Sequence, residues 1–293
     1  MTIPILLPSY RLFKLSNSSR IVTAAAKHSS SEVPQRSDEW FNLRKEKLIT
    51  SSFSTAMGFW DSSRRSELWR DKVFSTNSSL FTPFAEAAMN WGSTHETTAI
   101  ANYEAITGRT VRSFGFAVHR AHELNWLGGS PDGVLDPNRG ILEVKCPYNK
   151  GKPELGLPWE TVPYYYIPQV QGLMEIMDRN WAELYCWTPN GSTLFRVERD
   201  RKYFLEMYKI LNEFWQEYVL PAKKVVKNGG GGGDGLEVDL NDFMPRSNHP
   251  LTPSLVAMSK KLAGEARLLC RDIGGVVMFY NRRYRSDNSS ILK

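Results

Sequence analysis

Five consecutive glycines at positions 229–233, bracketed by Asn228 and by Asp234-Gly235, can sustain neither a helix nor a strand. They read as a flexible linker over 228–250 and cut the chain into a long piece before them and a short one after. In the short piece, residues 251–293, Thr252-Pro253 can open a helix, with Leu255, Met258, Leu262 and Leu269 recurring at helical spacing. Arg282, Arg283 and Arg285 make its end basic. Docking on the main domain, pairing subunits and touching nucleic acid are all open to such a tail.

The other end has a distinct composition. Residues 1–31 hold Arg11, Lys14, Arg20 and Lys27 but no acidic residue, and they are rich in serine. That is the composition of a mitochondrial or chloroplast transit peptide, which makes an organelle the expected address. Between the two ends, residues 32–227 alternate in a way that predicts an α/β fold. Positions 37–46, 85–107, 167–177 and 203–218 have helical character. Positions 111–119, 123–127, 133–135, 141–146, 182–187 and 193–198 read as strands. Strands in the middle with helices around them predict a mixed central sheet covered by helices.

Several function classes drop out early. Cys146, Cys186 and Cys270 are scattered and odd in number, which excludes an intrachain disulfide framework and a zinc ribbon. One chain's thiols are also too few for a four-cysteine iron–sulfur cluster. No apolar run approaches the roughly 18–20 residues that span a bilayer. Lys plus Arg exceed Asp plus Glu by 37 to 31, a formal charge of +6. That suits a polyanionic partner such as nucleic acid, though many proteins without one are equally basic.

The chemistry concentrates around Ser130-Pro131-Asp132-Gly133 and Glu143-Val144-Lys145. Side chains alternate faces along a strand, so Glu143 and Lys145 share one face of 141–146 while Leu142, Val144 and Cys146 share the other. Residues 136–140, Asp-Pro-Asn-Arg-Gly, are turn chemistry, which puts Asp132 and Glu143 on adjacent hairpin strands. Two carboxylates and an amine converging on one spot suit Mg²⁺, which takes one or two protein carboxylates and keeps several waters or phosphate oxygens. The plainer reading also stands: Ser-Pro-Asp-Gly makes a good turn, and Glu-Val-Lys is what any strand with one wet face looks like. Glu96 begins a turn in which Ile100 and Tyr103 follow at helical spacing, and it is either a third metal carboxylate or a solvated one. Gln169 and Gln171 either orient phosphate or water, or face solvent. Tyr164, Tyr165 and Tyr166 can stack on unpaired bases or pack the core. His95, His119 and His122 are read as structural.

Trp-Gly-x-x-x-Glu (from Trp91), Ser-Pro-Asp-Gly, Leu-Glu-Val-Lys-Cys-Pro and Tyr-x-x-Gln-Val-Gln occur here in that order, preceded by Trp40-x-x-x-Arg44 and Ile49-Thr50-Ser51-Ser52. Over residues 37–222 this resembles the YqaJ-type viral recombinase family, to which phage lambda exonuclease belongs, within the PD-(D/E)XK nuclease superfamily. The resemblance implies a restriction-endonuclease-like mixed sheet flanked by helices and an Mg²⁺-dependent exodeoxyribonuclease, with Mn²⁺ also suited to the oxygen ligands. It implies digestion of the 5′-ended strand of linear duplex DNA in recombination or repair. It further implies metal ligation by Asp132, Glu143 and the Val144 carbonyl, with Glu96 supporting a second ion. Lys145 would assist the attacking water, Gln169 would belong to the catalytic set, and Arg44 and Ser52 would hold the 5′-terminal phosphate. In the phage members to which the resemblance points, the enzyme is a toroidal homotrimer and leaves its product for a single-strand annealing protein. The leader, the glycine run and the tail have no counterpart in the compact phage enzymes. The rival readings are a protein that binds DNA ends without cutting and a structure-specific endonuclease of the same fold. An intact residue set argues against the first, and Arg44 argues against the second.

Overall fold

The computed structural model describes residues 33–60, 62–75, 82–137, 139–228 and 239–280. The expected transit peptide, the glycine run and the basic end at Arg282, Arg283 and Arg285 lie outside the described residues. The first half runs α1 (Asp38–Glu46), β1 (Leu48–Ile49), α2 (Phe53–Ala56), α3 (Ser62–Phe74), α4 (Pro83–Thr107), β2 (Ala117–Val118) and β3 (Leu127–Gly129). Then come β4 (Gly133–Leu135), β5 (Gly140–Lys145), α5 (Ile167–Ile176), β6 (Trp181–Thr188) and β7 (Gly191–Glu198). The chain closes with α6 (Arg201–Glu213), a π-helical segment over Phe214–Val219, α7 (Leu220–Lys227), α8 (Thr252–Glu265), β8 (Arg267–Ile273) and β9 (Val276–Phe279).

The strands form two mixed sheets. A six-stranded sheet has the order β4-β5-β6-β7-β8-β9, and a three-stranded one the order β1-β3-β2. In the larger sheet β5 and β6 are parallel, joined by a crossover through α5, and every other neighbour is antiparallel. A bridge between Arg112 and Val134 leads from the chain entering β2 to the edge of the large sheet. The central strands are covered on both faces. Ile141, Ala182, Leu184, Phe195 and Val197 pack on Val170, Leu173 and Met174 of α5 and on α6. Leu142, Val144, Tyr185 and Leu194 pack on Ala99 and Tyr103 of α4. Burial of apolar side chains on two sides at about 25 cal/mol per Å² is the main force holding strand and helix layers together.

Local sequence explains the helices that matter for the site. Thr82 caps α4, accepting from the Ala85 amide, Pro83 opens it, and Gly108 ends it with φ 67°, a left-handed position that favours glycine. Gly172 lets α5 lie against the turn before α2, since a Cβ there would stand 2.5 Å from the Phe53 ring.

Two expectations change. Of the strands expected at 111–119 and 123–127, only Ala117–Val118 and Leu127–Gly129 form, with a 3₁₀ turn at His122–Leu124. Phe114 and Phe116 are nevertheless buried there. The second change concerns the tail, where Leu269, read at helical spacing, lies in β8 beyond the end of α8, and where docking on the main domain is the option the structure takes. Its described part does not stand apart from the domain expected at 32–227: β8 pairs with β7 from Gly191↔Ile273 to Arg196↔Arg267 and completes the sheet with β9. Helix α8 buries Leu255, Ser259 and Ala263, and Ser259 meets the Tyr203 hydroxyl at 2.6 Å. Thr252 Oγ1 donates to the Met57 carbonyl at 2.7 Å.

Candidate active site

The Ser-Pro-Asp-Gly turn between β3 and β4 is held from the chain's opening segment. Gln35 Nε2 donates to the carbonyls of Phe114 and Pro131, both at 2.9 Å. Ser37 caps α1 by accepting from the Trp40 amide, and one face of that helix brings Trp40 Nε1 to Ser130 Oγ at 2.8 Å. The backbone on each side of Asp132 is thereby fixed. Asp132 Oδ2 then accepts from the Val144 amide at 2.6 Å, which ties the turn to β5.

On β5 the alternation places Glu143 and Lys145 with Ile141 on the side of α5. Lys145 Nζ donates to Glu143 Oε1 at 2.6 Å, and Gln169 Nε2, in the first turn of α5, donates to the same oxygen at 2.5 Å. The Lys145 ammonium also stands 5.1 Å from the centre of the Tyr166 ring. Glu143 is 2% exposed, and its other oxygen, Oε2, is buried with no hydrogen-bond partner among the described residues. A buried carboxylate oxygen left unpaired costs about 1–3 kcal/mol or more. It marks a place built for something else to bind.

The electrostatics agree with that. Burial first, and then the charge of Asp132, push the Glu143 carboxyl up to about 8. Burial also raises Asp132, against the pull of Lys145 and the Val144 amide. Burial alone would depress Lys145, but Glu143 and Asp132 outweigh it and hold the ammonium charged well above its ordinary value. Two acids crowded around one base leave Glu143 without a counter-charge of its own, so it keeps a proton well above the ordinary carboxylate range.

The site residues expected from sequence separate into a cluster and its surroundings. Asp132, Glu143, Lys145 and Gln169 come together, with the Val144 backbone between them. Glu96, on α4, lies across a cleft of about 320 Å³ that Asp132 also lines, and its Oε2 is 3.0 Å from Arg36 Nη2. Burial and the charge of Asp132 raise its carboxyl, so the two acids feel each other. Arg44 and Ser52 stand outside the cluster. Arg44, in the last turn of α1, lies over the Trp40 ring with its guanidinium carbon 4.3 Å from the ring centre, and its own carbonyl accepts from Lys72 Nζ at 2.6 Å. Its guanidinium has no carboxylate within ion-pair distance among the described residues, and burial lowers its pKa to about 10 despite Asp71. Ser52 precedes α2 and makes no capping bond there. Gln171 is structural, since its amide bridges the Glu198 carbonyl and the Asp200 amide at 2.8 Å each. His95 packs between Trp91 and Trp187.

Gln35 and Arg36 are additions that sequence reasoning does not supply. They sit in an irregular segment before α1, where no periodicity marks them. Trp40 had a signal in the Trp-x-x-x-Arg spacing, but not its bond to Ser130.

Among the described residues, no three acidic, imidazole or thiol groups stand close enough to cage an ion by themselves. Mg²⁺ does not require such a cage, because it binds through one or two carboxylates and completes its shell with water and phosphate. Asp132, Glu143 with its unpaired oxygen, and the Val144 carbonyl are a donor set of that kind.

Residues 39–180 match the YqaJ-like viral recombinase domain, a span that contains every residue of the site from Arg44 to Gln169. Among solved structures, the chain is similar to an alkaline exonuclease, LHK-Exo, from Laribacter hongkongensis. The two are 23% identical with a TM-score of 0.52, over 66% of this chain and 98% of that one. The same enzyme in complex with dAMP gives 23% identity and a TM-score of 0.51, over 66% and 98%. A phage-related exonuclease from Haemophilus somnus 129PT is 15% identical at a TM-score of 0.44, over 64% of this chain and 99% of the other. The likeness to LHK-Exo shows a shared fold. No curated protein matches the chain in sequence.

Proposed function

We propose, from the premise that residues 39–180 are a YqaJ-like viral recombinase domain, that the chain is a metal-dependent exodeoxyribonuclease that digests linear duplex DNA from its 5′ ends. The observation that carries this reading is the buried Asp132–Glu143–Lys145 cluster, two acids around one base, with an unpaired oxygen on Glu143. Such a cluster is a poor structural ion pair and a good half-site for a divalent cation and a phosphate. Asp132, Glu143 and the Val144 carbonyl would hold Mg²⁺, and Mn²⁺ suits the same oxygens. When bound, the ion supplies charge stabilisation at the phosphoryl oxygen and makes a coordinated water more acidic.

The protein's own groups do the rest. Gln169 and Lys145 fix the Glu143 carboxylate by its Oε1, and Oε2, which has no partner among the described residues, is the oxygen that would take the ion. Lys145, held charged, donates a hydrogen bond to the attacking water and offsets charge that gathers on the phosphate. Water oxygen bonds to phosphorus, the bond from phosphorus to the 3′ oxygen of the released nucleotide breaks, and that oxygen takes a proton. Arg44, desolvated over Trp40 and with no carboxylate at ion-pair distance among the described residues, engages the terminal 5′-phosphate, with Ser52 sharing that role. A pocket for a terminal phosphate serves an enzyme that starts at ends. Residues 1–31 would direct the chain to a mitochondrion or chloroplast, which a fusion of that segment to a fluorescent protein tests.

The deciding experiment digests linear duplex labelled at its 5′ or 3′ end, in Mg²⁺ and in EDTA, alongside Lys145→Ala and closed circular DNA. Release of 5′ label as mononucleotide, stopped by EDTA and by Lys145→Ala and absent with circles, supports the reading. Binding of ends without cleavage under any divalent metal replaces it with an end-binding protein. Equal cutting of circles replaces it with an endonuclease.

A further inference from the structure

Arg36, in the segment before α1, is unusual in both backbone and side chain. Its φ of 69° lies in the left-handed region that residues with a Cβ rarely adopt and that recurs at functional sites. Its neighbours are anchored. Gln35 is bonded to the carbonyls of Phe114 and Pro131, and Ser37 Oγ donates to the Pro34 carbonyl at 2.8 Å while capping α1. With the backbone on either side anchored, the Arg36 side chain, about half exposed, lines the cleft with Asp132 and Glu96, and its Nη2 stands 3.0 Å from Glu96 Oε2. Within β5 the counter-charge to Glu143 comes from Lys145. Glu96 takes its counter-charge from a different segment of the chain.

We propose that Arg36 is a built-in cation occupying the position that a second divalent ion would take at Glu96, so that the site loads one ion rather than two. The inference rests on the reading of Asp132 and Glu143 as metal ligands. A carboxylate already met by a guanidinium attracts a second ion weakly, and a divalent ion brought beside it would be repelled by the same guanidinium. Mg²⁺ also loses water reluctantly, so a partly neutralised ligand does not draw it in.

The test is the number of Mn²⁺ ions bound per full-length chain, measured by electron paramagnetic resonance of the free ion and by calorimetry, without DNA. The wild-type chain is expected to bind one. Arg36→Gly removes the cation and suits the left-handed backbone, and it is expected to bind two. Adding Glu96→Gln to Arg36→Gly should return the count to one, whereas Glu96→Gln alone should leave it at one. Two ions on the wild type, or one on Arg36→Gly, overturns the inference and leaves the metal reading standing. Loss of the single ion in Glu96→Gln makes Glu96 a ligand of that ion and also overturns it. No ion on the wild type removes the metal reading itself, and the inference with it. A circular-dichroism melt of each variant shows that the count refers to folded protein.

Discussion

Glu143→Gln should stabilise the metal-free protein while abolishing its activity. Glutamine keeps the shape of the side chain, and its oxygen can still accept from Lys145 and Gln169, which both use Oε1. Its amide replaces the unpaired oxygen, and the cluster becomes a balanced Asp132–Lys145 pair. The size of the effect follows from the carboxyl's displacement from 4.5 to about 8. Between those values the folded chain holds a proton that the unfolded chain has released. Stability is therefore unpenalised below the unfolded value and falls by about 1.4 kcal/mol per pH unit as pH rises toward the folded one. By neutral pH the wild type has lost about 3 kcal/mol that the variant does not lose. For a domain of this size that is a rise in melting temperature of about 5–10 °C. Thermal melts of both proteins in EDTA at pH 5 and pH 8 measure it. The gap should widen with pH, and added Mg²⁺ should narrow it by raising the wild type alone. A variant that melts no higher than the wild type at pH 8, or a gap that does not change with pH, refutes the argument that ionising the buried Glu143 beside Asp132 costs stability.

Lys145→Ala should lower the cleavage rate roughly 10²–10³-fold while DNA-end binding persists, as seen by single-turnover kinetics beside a mobility-shift assay. Arg44→Ala should raise KM about tenfold on 5′-phosphorylated ends and change little on 5′-hydroxyl ends, since the lost contact is a charge-assisted hydrogen bond. Comparing the two substrates checks it. Leu269→Ala, in a strand beyond the glycine run, should cost about 2–5 kcal/mol in urea unfolding, because the side chain is wholly buried against the sheet. A change within 0.5 kcal/mol would mean that β8 contributes little to the fold.

The parts of the site legible in sequence are those set by local geometry. Period-two alternation along β5 puts Glu143 and Lys145 on one face, and the turn chemistry after Leu135 brings β4 back against β5. Neither needs knowledge of the rest of the chain. The spacing of Glu96 with Ile100 and Tyr103 likewise marks α4. What sequence did not disclose depends on distant segments meeting. Gln35 holds the Pro131 carbonyl across 96 positions. Helix α3 has no aliphatic stripe to announce it, because its inward face carries Arg65, Trp69 and Lys72. Arg65 donates to the carbonyls of Ala56 and Arg246 at 2.8 Å each, a tertiary solution to burying a charge that no spacing rule anticipates. The glycine run invited a boundary at Lys227, yet β8, which has no period-two pattern to announce it, pairs with β7 across a bulge once the chain has returned.

That return has a consequence for how the protein is made. Glu198 leaves the ribosome well before Arg267, so β7 emerges with one side of its ladder open and waits for α6, α7, the glycine run and α8 to be synthesised before β8 can cover it. During that interval the nascent chain presents an unpaired strand edge, the kind of surface that draws in other chains and chaperones. A ribosome that stalls within the run of glycine codons would hold the protein in that state, with the turn of Asp132 and the strand of Glu143 and Lys145 already made and the sheet behind them unfinished.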